Sequence, residues 1–208
     1  MERYKDELIS NVKKMLEIIE ETSQIESEID EEVKKSIHDK FCPVFGIDVP
    51  FEYTTLFEDA AKIKIPKSFY PRSEDEIKEV YFIGEPPKLV LSDGILPFMI
   101  AFNPTRTKQL DNEIQEFGKV AKAIINRVGS KSKILGEQYL KRDNGNIFLL
   151  ETLMQTLDGV SYNLFFFTSV EEFLWIGTVS FDSKYSKRLV SVAKEIVSTF
   201  ETLATREE

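Results

Sequence analysis

Apolar residues recur every three or four positions over two stretches near the start of the chain: Leu8, Val12, Met15 and Ile19, then Ile25, Ile29, Val33 and Ile37. This spacing predicts two short amphipathic helices. Between the stripes, Ser23 and Glu26 stand at the spacing of a capping box, in which the serine hydroxyl and the glutamate carboxylate satisfy each other's backbone N–H groups and start a new helix. Helices of this length are marginal alone in water, so the stripes must pack on the rest of the chain, on each other or on a partner. From Phe41 to Pro50 the periodicity dissolves around Pro43 and Gly46, which predicts a connector.

A different rhythm follows. Ala60 to Ile65, Val80 to Ile83, Lys88 to Ser92 and Ile95 to Phe102 read as short strands, and the prolines at 86, 87 and 97 lack ladder donors and so favour a sheet edge. Leu110, Ile114, Phe117, Ala121, Ile124 and Val128 mark one face of a helix that stops before Gly129. Four strands come next: Lys133 to Lys141, Asn146 to Thr156, Val160 to Thr168 and Phe173 to Phe181. They are separated by Asn144-Gly145, by Asp158-Gly159 and by the loop Ser169 to Glu172. Asn-Gly and Asp-Gly tolerate the positive φ of tight hairpins, so the run is an antiparallel meander. A last helix near Lys184 to Leu203 sets Tyr185, Leu189, Val192, Ile196 and Phe200 on one face.

Two-residue turns at the glycines and a four-residue loop after Thr168 fix which residues share a face. One face carries Tyr162, Leu164, Phe166, Phe173, Trp175 and Val179 with Leu149 and Leu153. The other carries Phe148, Leu150, Met154, Phe165, Phe167, Leu174 and Ile176, and gives way at one end to Thr156, Ser161, Asn163, Thr178 and Ser180. Both faces are largely apolar, so each needs a helical cover.

Charge divides the chain at the same place as the periodicity. The 208 residues carry 27 Lys plus Arg and 36 Asp plus Glu, a net charge of −9, and residues 1–40 contribute 7 basic against 12 acidic side chains. An acidic chain without a Lys/Arg cluster is a poor ligand for phosphate backbones, so nucleic acid is not expected as a partner. Cys42 is the sole cysteine, which precludes an intramolecular disulfide or a multi-cysteine zinc site. The opening residues mix both charges and lack the apolar core of a signal peptide, and the apolar run Ile95 to Phe102 is too short to span a bilayer. The expectation is a cytoplasmic protein without a membrane span.

The run Tyr162-Asn163-Leu164-Phe165-Phe166-Phe167, the segment Gly177-Thr178-Val179-Ser180-Phe181 and the closing helix ending near Ser198-Thr199-Phe200 resemble the PsbP-like superfamily, which includes Mog-type Ran-binding proteins and many small bacterial proteins of unassigned role. The resemblance covers about residues 57–203. It implies an α+β fold, an α/β/α sandwich around a mainly antiparallel sheet. With the opening stripes this predicts a helical extension over 1–40 and a PsbP-like domain over 41–208.

Candidate chemistry is sparse. His38 and Cys42 stand four apart, a spacing open to two metal ligands, but no other His or Cys exists to complete a soft site. Glu17 to Glu32 holds eight carboxylates and no base. Spread around a helix they do not converge, and a solvated face is the simpler account. Glu151 lies mid-strand among Leu149 and Leu153, where the register sets it beside Gln138 and Phe166; covered by a helix, it would have the raised pKa of a general acid. Asn103 to Lys108 reads as a strand-to-helix connection with Thr107 as N-cap and Arg106 open to an anion. Thr156, Ser161, Asn163, Thr178 and Ser180 form a polar patch above an apolar floor, the setting in which a small ligand finds hydrogen bonds. No cofactor motif occurs.

Three functions follow in order. The first is a non-enzymatic protein-interaction module that binds a protein partner or itself through the N-terminal helices. The second is a small-molecule or lipid-binding domain using the polar patch. The third is an acid-base enzyme centred on Glu151.

Overall fold

The computed structural model describes residues 35–81, 85–128, 132–156 and 159–203. The two stripes from Leu8 to Val33, and with them the predicted helical extension, lie outside the described residues. Ile37, the last member of the second stripe, lies in a turn. The chain divides after Lys35, and Ser36 opens the compact unit that carries the sheets.

Among the described residues the fold is α+β, with antiparallel sheets and three helices. The strands are β1 (Cys42–Val44), β2 (Ile47–Val49), β3 (Phe51–Leu56), β4 (Ala61–Pro66), β5 (Tyr70–Pro71), β6 (Leu89–Ser92), β7 (Phe98–Lys108), β8 (Ser132–Leu140), β9 (Ile147–Gln155), β10 (Val160–Val170), β11 (Phe173–Asp182) and β12 (Glu201–Thr202). The helices are α1 (Glu74–Val80), α2 (Ile114–Val128) and α3 (Ser186–Ser198). Seven strands form the main sheet in the order β5-β6-β7-β11-β10-β9-β8; three form a second sheet, β12-β4-β3; β1 and β2 pair as a hairpin.

The meander β8-β9-β10-β11 is antiparallel, and both faces hold the residues that its alternation assigns to them. The turns differ from expectation. β10 pairs Val170 with Phe173, so a two-residue turn of Glu171 and Glu172, at φ 52° and 64°, replaces the four-residue loop. Gln155 pairs with Val160 and Leu140 with Ile147, so both glycine-bearing connections are longer than two residues. Each of these shifts moves the register by two positions, which preserves the face of every residue in β9, β10 and β11.

Helix α2 covers the face of Phe148, Leu150, Phe167 and Leu174, burying Ile114 and Ala121 against them with Phe117 and Ile125 at the margin. Ile124 is exposed, which rotates the packing face from the predicted one. Gly118 sits directly on the sheet, where a Cβ would stand 2.1 Å from the Phe148 ring. Helix α3 covers the opposite face together with the second sheet, so the single-sheet expectation is corrected. There Phe166 lies 5.9 Å from Phe102 and 5.8 Å from Phe200 between ring centres, and Trp175 meets Phe57 edge-on at 5.0 Å. Burial of such side chains contributes roughly 1.5–3 kcal/mol each.

Polar ties fix α3 at both ends. Arg142, after β8, donates from Nη1 to the Ser198 carbonyl at 2.8 Å and from Nη2 to that of Phe200 at 2.7 Å, satisfying carbonyls that the helix end leaves open. Ser36 Oγ and the Ile37 N–H donate to Glu195 Oε2 at 2.5 and 3.0 Å, and Ile37 is fully buried. Arg188 donates to the Pro43 carbonyl.

Three local expectations are overturned. Val80, the first residue of the predicted strand Val80 to Ile83, instead ends a helix, α1, because Ser73 and Glu76 form a capping box and Ile77 packs on Val90 and Ala101, while Phe82 and Ile83 lie outside the described residues. Phe41 to Pro50 is the β1–β2 hairpin, turned at Phe45 and Gly46 with φ 51° and 74°. Strand β7 runs from Phe98 to Lys108, so Thr107 and Arg106 are exposed strand residues and no cap forms at Thr107. Pro104 is tolerated there because β6 pairs only with Ile100 to Phe102, leaving β7 an edge on that side beyond Phe102.

Candidate functional site

The face of the main sheet covered by α2 is not covered along its whole length. Past Phe165 the side chains turn polar: Asn163 pairs with Ser180 on β11 and Thr152 on β9, and Ser161 pairs with Asp182 and Met154. Helix α1 packs farther over, on Val90 and Ala101. A cleft of about 580 Å³ opens there. Its polar wall includes Thr156, Ser161, Asn163 and Ser180, four of the five patch residues; Thr178 shares their sheet face without lining the cleft. Leu96, Pro97, Met99 and Val160 supply apolar wall, and Arg72 and Tyr81 close one side.

The polar groups are held in place. Ser161 Oγ lies 3.5 Å from Asn163 Oδ1, and Asn163 Nδ2 donates to the Ser161 carbonyl at 3.4 Å. Asn163 is buried, and among the described residues its side chain makes only these long bonds. Thr156 Oγ1 donates to the Gly159 carbonyl at 3.1 Å across the hairpin turn. Across from Asn163, the wholly buried hydroxyl of Thr152 has no hydrogen-bond partner among the described residues. Burial pushes the Tyr81 phenol up, opposed by a hydrogen bond from Ser180. Asp182 is held below the usual carboxylate range by the Lys184 backbone N–H and ammonium, the latter 3.0 Å away.

The turn Asp93 to Pro97 forms another wall. Asp93 Oδ1 accepts from the Ile95 and Leu96 N–H groups at 2.8 Å each, and Oδ2 accepts from Ser68 Oγ at 2.6 Å. Behind it Arg72 is fixed: Nε donates to Ser92 Oγ and Nη1 to Glu76 Oε1, both at 2.6 Å.

Glu151 lies on the other face. It pairs across the strands with Gly136 and Leu164, not with Gln138 and Phe166, because both flanking turns are longer than two residues. Its Oε2 accepts from the Tyr162 hydroxyl at 2.7 Å and its Oε1 lies 2.8 Å from Lys194 Nζ. His38 is exposed and Cys42 is buried in β1, where desolvation pushes its thiol up. Among the described residues no group of three or more His, Cys, Asp or Glu side chains is placed to hold a metal ion. The carboxylate run Glu17 to Glu32 lies outside the described residues. Among the described residues no helix is long and apolar enough to cross a membrane.

Strand alternation alone, despite a register wrong by two, sets the hydroxyl and amide residues of the cleft on one sheet face, but it misses Arg72 and Tyr81. These flank α1, whose signal was the capping-box spacing of Ser73 and Glu76.

No known protein-family profile matches the chain, and no curated protein matches it in sequence. Among solved structures it is similar to cyanobacterial PsbP from Synechocystis sp. PCC 6803, with a TM-score of 0.53 and 14% identity over 78% of this chain and 97% of that one. The fold is PsbP-like. Weaker likenesses are to a Pseudomonas aeruginosa protein of unknown function described as a putative regulator (TM-score 0.42, 12% identity, 76% of this chain and 99% of that one) and to a Bacteroides thetaiotaomicron protein (TM-score 0.47, 8% identity, 75% and 50%).

Proposed function

We propose that this protein is a binding domain that takes a small, partly apolar organic molecule in the cleft at the polar end of the main sheet. The observation that carries this reading is the gathering of Thr156, Ser161, Asn163 and Ser180 with an apolar wall in one cavity of about 580 Å³, within the size range of small-molecule sites. The α/β/α layering supports it, since a sheet covered on one face by α2 and on the other by α3 is a rigid platform for such groups.

The role is binding and not catalysis. Among the described lining residues, the carboxylate Asp182 is committed to Lys184 and the phenol Tyr81 is pushed up by burial. Neither is poised to take a proton near neutrality. Glu151 is engaged by Tyr162 and Lys194 and ties helix to sheet. The protein-interaction role expected of residues 1–40 rests on stripes that lie almost wholly outside the described residues.

Thermal shift against a panel of metabolites and lipids tests the proposal, because a ligand that binds only the folded state raises its melting temperature. A hit should lose its shift in Asn163→Leu and Ser180→Val and keep it in Glu151→Gln. A shift abolished only by the last would move the site to the other face.

A further inference from the structure

Among the described residues that line the cleft, one side chain is cationic, and it is unevenly used. Arg72 spends Nε on Ser92 and Nη1 on Glu76 and, at 3.3 Å, on the Tyr70 hydroxyl, while the guanidinium carbon lies 5.1 Å from the centre of the Tyr70 ring. Nη2 has no acceptor among the described residues. A guanidinium presents five N–H donors in a rigid fork, so three anchored contacts fix where the last two N–H groups point. The side chain is only 20% exposed, and partly desolvated donors without a partner are costly.

Gly94 keeps the space in front of these donors open. Its φ of 73° suits glycine, and a Cβ there would stand 2.9 Å from Nη2, closer than to Cζ at 3.9 Å or Nη1 at 4.0 Å. Both Arg72 and Gly94 line the cleft. Asp93, one residue earlier, holds the turn in shape through its bonds to Ile95, Leu96 and Ser68.

We propose that the cleft receives small monocarboxylic acids, with the carboxylate on Arg72 Nη2 and the apolar body against Leu96, Pro97 and Met99. This rests on reading the cleft as a binding site. A single carboxylate fits better than a phosphate dianion. Glu76 already offsets part of the guanidinium charge, Asp182 lines the same cleft, and the chain carries a net charge of −9.

Calorimetry on the full chain with octanoate and phenylbutyrate, against their primary amides and octyl phosphate, tests the assignment. The acids are expected to bind at least tenfold more tightly than the amides and more tightly than the phosphate. Arg72→Gln should bring the acids down to the level of the amides. Gly94→Ala, whose Cβ would press on Nη2 from 2.9 Å, should weaken the acids more than the amides, which keeps the test decisive if Arg72→Gln unfolds. Glu76→Gln, which removes the competing charge, should strengthen the acids. Equal affinity for acid and amide, an acid preference that survives Arg72→Gln or, where that variant unfolds, Gly94→Ala, or tighter binding of octyl phosphate overturns the carboxylate assignment and leaves the cleft as a binding site. Failure of acids and amides alike overturns both.

Discussion

Lys194 on α3 sets its Nζ 2.8 Å from Oε1 of Glu151 on β9, and the other carboxylate oxygen accepts a 2.7 Å bond from the buried Tyr162 hydroxyl. The helix covering one face of the sheet is thus tied to two adjacent strands through one carboxylate. The two bonds differ in worth. The Lys194 side chain is 40% exposed, so its charge is screened by water, whereas Tyr162 is 1% exposed and its hydroxyl cannot replace its acceptor with solvent.

Replacing Glu151 with Ala should therefore cost about 1–3 kcal/mol, mostly from the stranded Tyr162 hydroxyl. Lys194→Met should cost less than about 1 kcal/mol. Urea denaturation of the two variants and the double mutant checks this. A larger loss from Lys194→Met than from Glu151→Ala would reverse the assignment.

The same phenol predicts an alkaline limit. Desolvation, and after it the bond to and charge of Glu151, push the Tyr162 pKa far above its ordinary value, and burial pushes Tyr81 up as well. A folded value raised above the unfolded one leaves stability intact below the unfolded pKa of about 10 and erodes it above, because the unfolded chain releases the proton first. Stability should fall from about pH 10 upward, and the fall should be shallower in Tyr162→Phe. Parallel pH curves for the wild type and this variant would show that Tyr162 plays no part.

At Gly118 two effects of one methyl group oppose each other. Alanine at this mid-helix position of α2 is favoured by about 1 kcal/mol in helix propensity. The new Cβ would stand 2.1 Å from Phe148 Cγ, and the ring is 2% exposed, with no space to retreat. Overpacking of this kind costs typically about 1–3 kcal/mol and lifts the helix from the sheet. Gly118→Ala should lower the thermal midpoint despite its better propensity; a rise would mean that α2 stands farther off.

Much of this architecture was legible because its signals are periodic. The alternation from Phe148 to Phe181 fixes strand faces, and a register error of two positions leaves faces unchanged, so the polar stripe of Ser161, Asn163 and Ser180 was found with the wrong turns. Elements whose ends or types depend on tertiary contacts were not. Helix α1 buries only Ile77 and has no stripe to read. Strand β7 continues through Pro104 because β6 stops pairing at Phe102. The rotation of α2 that exposes Ile124 follows from Gly118 seating on Phe148. Arg72 and Tyr81 join the cleft through α1, so their place in it was invisible until that helix was known.

The turn between β10 and β11 offers a stabilising change. Glu171 and Glu172 both adopt left-handed backbone, at φ 52° and 64°, in a two-residue hairpin whose twist is best served by Asn-Gly. Left-handed backbone costs a non-glycine residue roughly 1–2 kcal/mol. Substituting Asn-Gly for this pair should raise stability by about 1–2 kcal/mol in urea titration. An unchanged midpoint would indicate that contacts of the two glutamates offset the strain.

Asp93 gives the cleft an acid limit. Burial pushes its carboxyl up, but the bonds accepted from Ser68, Leu96 and Ile95 outweigh this and hold it below its ordinary value. A depressed folded pKa contributes stability that is present above the unfolded value of about 3.9 and is lost as pH falls through the lower folded value. Asparagine stays neutral throughout, so Asp93→Asn should be less stable than wild type at about pH 5.5, and the gap should narrow as pH falls below the unfolded value of about 3.9. Because other carboxylates titrate in the same window, the quantity to follow is the difference between the two proteins. A gap that stays constant with pH would show that the charge of Asp93 does not hold the turn. Ligand affinity should track that gap, since Gly94, Leu96 and Pro97 line the cleft from the turn that Asp93 holds through the Ile95 and Leu96 N–H groups.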